Sequence, residues 1–169
     1  MNQSDFLKIV LPFKDKVFRL AKRLLVSTEE AEDATQELLF KLWKNNEKIA
    51  NYNNVEAFAM TMTKNYCYDR LKSKQASNLT LIHNNYKGKE TPLDQKLEYQ
   101  DSVNQVHKLI EKLPEQQKII IQMRDIEEYD FDEICEMVDM KPTAVRVALS
   151  RARKTIREEL IKKHNYGVS

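Results

Sequence analysis

The amino-acid sequence predicts an all-α protein: two small helical domains joined by a flexible linker, the C-terminal one with a helix-turn-helix. Three observations carry this. Apolar residues recur at spacings of three and four on both sides of the middle of the chain, the stripe of a helix with one buried face. The alternation of a half-buried strand persists nowhere. Between residues 76 and 100 the stripe is lost, and SNLTLIHNNYKGKETPLDQKLEYQ is rich in Asn, Thr and Lys, with one Gly and one Pro.

The first stripe is Val17, Leu20, Ala21, Leu24 and Leu25. Ser27-Thr28-Glu29-Glu30 then makes a polar break with an N-cap, and Ala31, Ala34, Leu38 and Leu42 resume the pattern. A third helix starts near Val55 and runs through Phe58, Met62 and Tyr66 to about Lys72. These helices form a domain over residues 1–75. Residues 76–100 read as a tether, whose root-mean-square reach is roughly 25–30 Å. Such a tether predicts domains that move independently in the free protein. From residue 101 to 169 the spacing returns, in Val103, Val106, Ile110 and Leu113, then in Ile119, Ile120 and Met123.

Composition removes several classes of function. No apolar run approaches the ~20 residues of a membrane span. The start, MNQSDFLKIV, is polar and acidic where a secretory leader is basic and then apolar, so a cytoplasmic protein is expected. Cys67 and Cys135 form no CxxC pair and read as free thiols of a reducing compartment. His83, His107 and His164 share no metal-ligand spacing, and 2 Gly in 169 residues leave no Gly-rich phosphate loop. With no nucleophile–base pair and no carboxylate pair in an apolar setting, the expectation is no enzyme, no cofactor and no metal.

Charge says more by position than by its net value of +2. Residues 125–139 hold eight acids (Asp125, Glu127, Glu128, Asp130, Asp132, Glu133, Glu136, Asp139) and no base. Residues 141–163 hold eight bases (Lys141, Arg146, Arg151, Arg153, Lys154, Arg157, Lys162, Lys163) against Glu158 and Glu159. A basic helix behind an acidic one suits phosphate contact, or simply a solvated face. Local spacing favours the first. Asp130 with Glu133 three residues on has the pattern of a capping box. Phe131, Ile134, Cys135 and Val138 give a short helix one apolar face, which makes Cys135 a small core residue. Asp139-Met140-Lys141 interrupts it, and Pro142 stands where a helix begins at no cost in hydrogen bonds. A short helix, a tight turn and a longer basic helix make a helix-turn-helix, whose second helix enters the major groove.

On that second helix Val145, Ala148, Leu149, Ala152 and Ile156 cluster within about 60° of one direction. Thr143, Arg146, Val147, Ser150, Arg151 and Lys154 then face DNA. Arg153 and Arg157 lie further round, toward phosphates or solvent. Arg124 and Lys141 complete the candidate set for this half.

IEKLPEQQKIIIQMRDIEEYDFDEICEMVDMKPTAVRVALSRARKTIREEL resembles the C-terminal promoter-binding domain of extracytoplasmic-function (group IV) sigma factors. The shared marks are Leu113-Pro114, Glu133-Ile134 and Ser150-Arg151-Ala152-Arg153-Lys154. Ala31-Glu32-Asp33-Ala34-Thr35-Gln36-Glu37, followed by Phe40-Lys41-Leu42-Trp43, is similar to the segment with which these factors bind the polymerase clamp. Lys64-Asn65-Tyr66-Cys67-Tyr68-Asp69-Arg70-Leu71 is similar to the segment that handles the −10 element. The likeness covers about 6–75 and 101–160.

The resemblance implies an alternative sigma factor that binds core RNA polymerase at its clamp and flap, brings it to promoter DNA and helps open the −10 region. Core binding falls to Asp33, Gln36, Glu37 and Lys41, and Trp43 packs at the end of their helix. The −10 set is Asn51, Tyr52, Asn53, Asn54, Lys64, Asn65, Arg70 and Lys72. Asn can bond a base edge and Tyr can stack on an unpaired base, though Asn is equally at home in a plain turn. The −35 set is Arg124, Lys141, Thr143, Arg146, Val147, Ser150, Arg151 and Lys154. An anti-sigma factor is left open as a further partner. Several positions depart from the family pattern: Asp139 replaces the turn glycine, Lys141 a capping Ser or Thr, Val147-Ala148 a common Ser-Arg, Ser150 a larger side chain, and Phe58-Ala59 a common Trp-Leu. Asp tolerates the left-handed backbone of such a turn. With fewer polar readers on the recognition helix, weak discrimination at the −35 element is expected. A stand-alone helix-turn-helix regulator would account for residues 130–157 but not for Asp33-Ala34-Thr35-Gln36-Glu37.

Overall fold

The structure, a computed structural model, describes residues 1–80 and 98–168, with side chains over 1–75 and 102–165. Every regular element among them is helical. Helix α1 (Gln3–Leu25) is capped by Asn2, whose Oδ1 accepts from the Asp5 N–H at 2.8 Å. It ends at Val26, held in the left-handed region at φ 62° with its N–H on the Lys22 carbonyl. That conformation is strained for a β-branched residue, and it turns the chain at once into α2 (Thr28–Lys44). Ser27 caps α2 by accepting from the Glu30 N–H at 3.2 Å. The predicted stripe Ala31, Ala34, Leu38 and Leu42 is buried, with Thr35 added.

A short α3 (Asn46–Ile49) leads to α4 (Val55–Thr80), and α5 (Glu98–Glu111) opens the second half. Both α4 and α5 therefore reach into the segment read as linker. A fading apolar stripe removes the reason for a helix to pack, not its ability to continue, and no Gly or Pro stands between Val55 and Thr80. The remainder of that segment, 81–97, lies outside the described residues.

Leu113-Pro114 separates α5 from α6 (Glu115–Ile121). The chain then widens into a π turn, Gln122–Ile126, in which the Glu127 N–H reaches the Gln122 carbonyl at 3.0 Å. Helix α7 (Phe131–Val138) carries the complete Asp130–Glu133 capping box. It ends at Asp139, φ 56°, the left-handed position that a glycine would otherwise fill. Helix α8 (Pro142–Val168) begins at the proline.

Helix α1 lies against α2 and α4, while α5, α6 and α7 gather on α8. The two halves also meet each other: α1 packs on α6 and the π turn, and α4 packs on α7. Their buried residues join in one cluster, from Phe6 and Val10 through Met60 to Ile119, Met123 and Ile134. This differs from the independent domains expected of a polar tether. Linker composition reports what the linker can hold; the halves are held by side chains far from it.

Candidate nucleic-acid interface

The recognition helix is the clearest site. On α8, Val145, Ala148, Leu149, Ala152 and Ile156 are buried, as the stripe predicted. Thr143, Arg146, Val147, Ser150, Arg151 and Lys154 are all exposed, and so is Lys141. Arg146 lies 5.2 Å from the centre of the Phe131 ring, and Arg124 lies 4.5 Å from it. Arg124 is further fixed by donating to the Tyr129 carbonyl at 2.9 Å. Two guanidiniums over one aromatic ring are poised without being neutralised. Arg153 differs from its expected role: it donates through Nε to Asp125 at 3.0 Å, so the acidic stretch takes one cation from the basic helix. Beside it, Phe131, Arg146, Ser150, Lys154 and Arg157 line an open cleft of about 350 Å³.

The residues of the −10 set divide. Asn51, Tyr52, Asn53 and Asn54 are exposed in the connection to α4. Tyr52 meets Phe58 edge to face at 4.8 Å, which holds its ring upright. Asn54 spends its Oδ1 as the α4 cap, accepting from the Ala57 N–H at 2.9 Å. Along α4, Lys64, Asn65 and Lys72 fall within about 100° of one another on the helix wheel, whereas Arg70 lies on the opposite side. Arg70 faces α2, 3.6 Å from Glu30, which Lys74 also holds at 2.6 Å.

Lys64 is half-buried and faces the second half, where it lines a recess with Tyr68, Glu115, Gln116, Ile119, Val138 and Met140. Burial lowers its pKa, and the Asp139 carboxylate pulls the other way. Cys67, on the inner face of α4, is fully buried and its thiol is pushed up to about 12 by burial first. Tyr68 is likewise pushed up to about 12, again mainly by burial.

On α2 the four candidate core-binding residues Asp33, Gln36, Glu37 and Lys41 are exposed together. Phe40 joins them at 55 % exposure with Lys44 beside its ring. The motif contained Phe40 without singling it out; an exposed Phe between charges is the signal that could have. Trp43 packs edge to face on Phe6 at 5.1 Å. Among the described residues, no group of three or more His, Cys, Asp or Glu could hold a metal ion. No described helix is long and apolar enough to cross a membrane.

Sequence reasoning missed a set of polar residues between the halves. Glu127, with a side chain 1 % exposed, accepts from Arg19 Nε and Nη2 at 2.8 and 2.7 Å. Arg23, also buried, donates to Gln122 at 2.8 Å and pairs with His107 Nδ1 at 2.7 Å. Tyr129 donates its hydroxyl to Glu56 at 2.6 Å, and Lys16 lies 3.0 Å from the same carboxylate. The partners that meet across the halves lie 73 to 108 residues apart in sequence, so no local pattern announces them.

Two helical units, one with a helix-turn-helix that leaves Arg146, Arg151 and Lys154 exposed and one with exposed Asn and Tyr ahead of α4, define a DNA-binding protein of the helix-turn-helix class. Residues 9–77 match sigma-70 region 2, and residues 104–156 match sigma-70 region 4. The chain belongs to the sigma-70 family, as an alternative sigma factor of the extracytoplasmic-function kind. It is 25 % identical over 170 residues to the ECF RNA polymerase sigma factor SigW of Bacillus subtilis, covering 94 % of this chain and 90 % of that one. It is 23 % identical to the RNA polymerase sigma-H factor of Pseudomonas aeruginosa, covering 94 % and 88 %. The fold is that of the sigma factor RpoE in complex with the anti-sigma factor NepR from Bartonella quintana, with TM-score 0.76, 20 % identity and coverage of 92 % and 96 %. CnrH in complex with the cytosolic domain of CnrY gives TM-score 0.70 at 15 % identity, covering 95 % and 90 %.

Proposed function

We propose that the units near 1–75 and 101–169 divide promoter recognition between them, with 76–100 as the connection. The exposed face of α2, with Asp33, Gln36, Glu37, Lys41 and Phe40, docks on a basic surface of the polymerase clamp. Tyr52, its neighbouring asparagines, Asn65 and the cations Lys64 and Lys72 take the opened −10 strand. Arg70 is a weaker member of that set, because Glu30 already occupies it. The −35 element meets Thr143, Arg146, Val147, Ser150, Arg151 and Lys154, with Arg124 and Lys141 on the flanking phosphates. Chemistry belongs to the polymerase; this chain supplies no catalytic group and works in the cytoplasm. An anti-sigma factor is a fitting partner, since the similar RpoE structure is a sigma factor in complex with one.

The observation that best supports this reading is the register of α8, whose six groove-facing side chains are exposed while its stripe is buried. A stand-alone regulator would share that helix but has no use for the α2 face. Replacing Asp33 and Glu37 with Lys sets like charges against a basic surface, and such contacts cost several kcal/mol when desolvated. The folded double variant is expected to lose co-elution with core polymerase while keeping −35 duplex binding. Wild-type co-elution would return the α2 face to the status of a solvated helix side.

A further inference from the structure

We propose that the cleft where α1 meets α5 and the π turn binds a small organic monoanion, a single carboxylate carried on an apolar or aromatic body. The cleft holds about 310 Å³, at the lower end of the range for small-molecule sites. Its apolar wall is Phe18, Val26 and Ile126, and its polar wall includes Lys22, Arg23 and His107.

Arg23 is the first reason to place an anion here. It is only 8 % exposed, yet it forms no ion pair among the described residues. Its bonds go to uncharged acceptors: Nε donates to the Gln122 amide oxygen at 2.8 Å, Nη1 to the His107 carbonyl at 3.4 Å, and Nη2 meets His107 Nδ1 at 2.7 Å. A guanidinium has five N–H groups, so these bonds leave donors to spare. Gln122 is fixed in this duty, because its Nε2 is spent on Glu127 at 3.1 Å. A buried charge held only by dipoles lacks a counter-charge. The cleft that Arg23 lines is where one can enter.

The charge balance sets the valence of the ligand. Arg19, Lys22 and Arg23 line the cleft with one carboxylate, Glu111. Glu127, behind them, is bonded to Arg19. Three cations therefore face two carboxylates, and one negative charge completes the set. The neutral His107, accepting from Arg23, adds none. A dianion such as phosphate would be opposed by Glu111.

Val26 is the second, independent reason. It closes α1 in the left-handed region at φ 62°, where a glycine would turn the chain at no steric cost. Strain of this kind persists where the side chain is wanted. Val26 stands 54 % exposed on the apolar wall of this same cleft.

The test uses the free full-length protein with 2-naphthoate as the probe, read by calorimetry and by the ring resonances of His107. 2-Naphthamide supplies the same body without the charge, and inorganic phosphate supplies charge without the body. Naphthoate is expected to bind once per chain at millimolar concentration or below and to shift the His107 resonances. The amide and phosphate should each bind at least about tenfold more weakly. Lys22→Glu should weaken naphthoate by about tenfold, whereas Glu111→Gln should strengthen it by about fivefold. Neither change removes a buried partner, as Arg23→Gln would, and opposite signs from the two separate this cleft from general apolar adsorption. The proposal is overturned by an absence of saturable binding, by equal binding of the amide or of phosphate, or by binding that leaves His107 unmoved. Folded Lys22→Glu and Glu111→Gln proteins with wild-type affinity overturn it too.

Discussion

Helices α4 and α8 both carry a run of cations, yet the fold treats them in opposite ways. On α8, Arg146, Arg151 and Lys154 form no ion pair with a carboxylate among the described residues, while Arg153 is drawn to Asp125 and Lys162 to Glu159. On α4, Arg70 and Lys74 are paired with Glu30, and Lys64 is half-sunk against the other half. The same residue types at similar density thus give one helix ready for phosphate and one whose charge is largely engaged. Sequence charge counts cations; only the tertiary partners say how many are free to bind.

That contrast can be broken by substitution. The largest effect is expected on α8. Replacing Arg151 and Lys154 with Ala should lower affinity for a −35 duplex by on the order of tenfold or more at low salt and reduce the salt slope by about two. Titrations at several salt concentrations read both, and an unchanged slope would mean these cations never reach phosphate. Next comes α4. Lys64→Ala should slow promoter opening by holoenzyme about fivefold, as the loss of one phosphate contact, while Arg70→Ala should change it by less than about twofold. Permanganate footprinting of the −10 segment measures both, and an equal defect would erase the distinction between the two faces of α4.

A finer difference lies in base reading. Val147 offers only an apolar touch to a thymine methyl, and a good bidentate contact is worth about 1–3 kcal/mol. Single changes across the −35 segment are therefore expected to reduce transcription by less than about tenfold each at fixed salt, apart from a guanine facing Arg146. Several changes that each abolish transcription would show stringent reading.

The smallest effect is on pH. His107 is held below its usual pKa, first by burial and then by Arg23. Its Nδ1 faces the Arg23 guanidinium, so the neutral imidazole accepts there. A histidine whose pKa is depressed where the halves pack stabilises that packing above its solvated value of ~6.5 and loses the contribution as pH falls through it. Lys22 opposes protonation as Arg23 does, whereas Glu111 favours it. Interdomain distances should broaden slightly between pH 7 and 5.5, above the ordinary carboxylate range. His107→Gln should abolish that dependence.

Much of the second half was readable because its signals are local. The Asp130–Glu133 box, the left-handed Asp139, the start at Pro142 and the stripe from Val145 to Ile156 each involve residues within a turn or two of each other. The α2 stripe was readable for the same reason. The length of α4 was not, since apolar spacing marks where a helix packs rather than where it stops. Nor was the seam between the halves. Arg19, Glu56, Glu127 and Tyr129 look like ordinary surface charges and an ordinary tyrosine until chain segments about 70 to 110 residues apart are set side by side.

Cys67 adds a chemical consequence of how tightly α4 is seated. Its sulfur has no exposed surface, and with a pKa pushed up to about 12 it holds almost no thiolate at neutral pH. Oxidants and alkylating reagents attack the thiolate, so in the seated helix both access and reactivity are withheld at once. Reaction at Cys67 then counts the moments when α4 lifts from α1 and α2, and the alkylation rate of this one sulfur becomes a clock for local unfolding of the N-terminal unit.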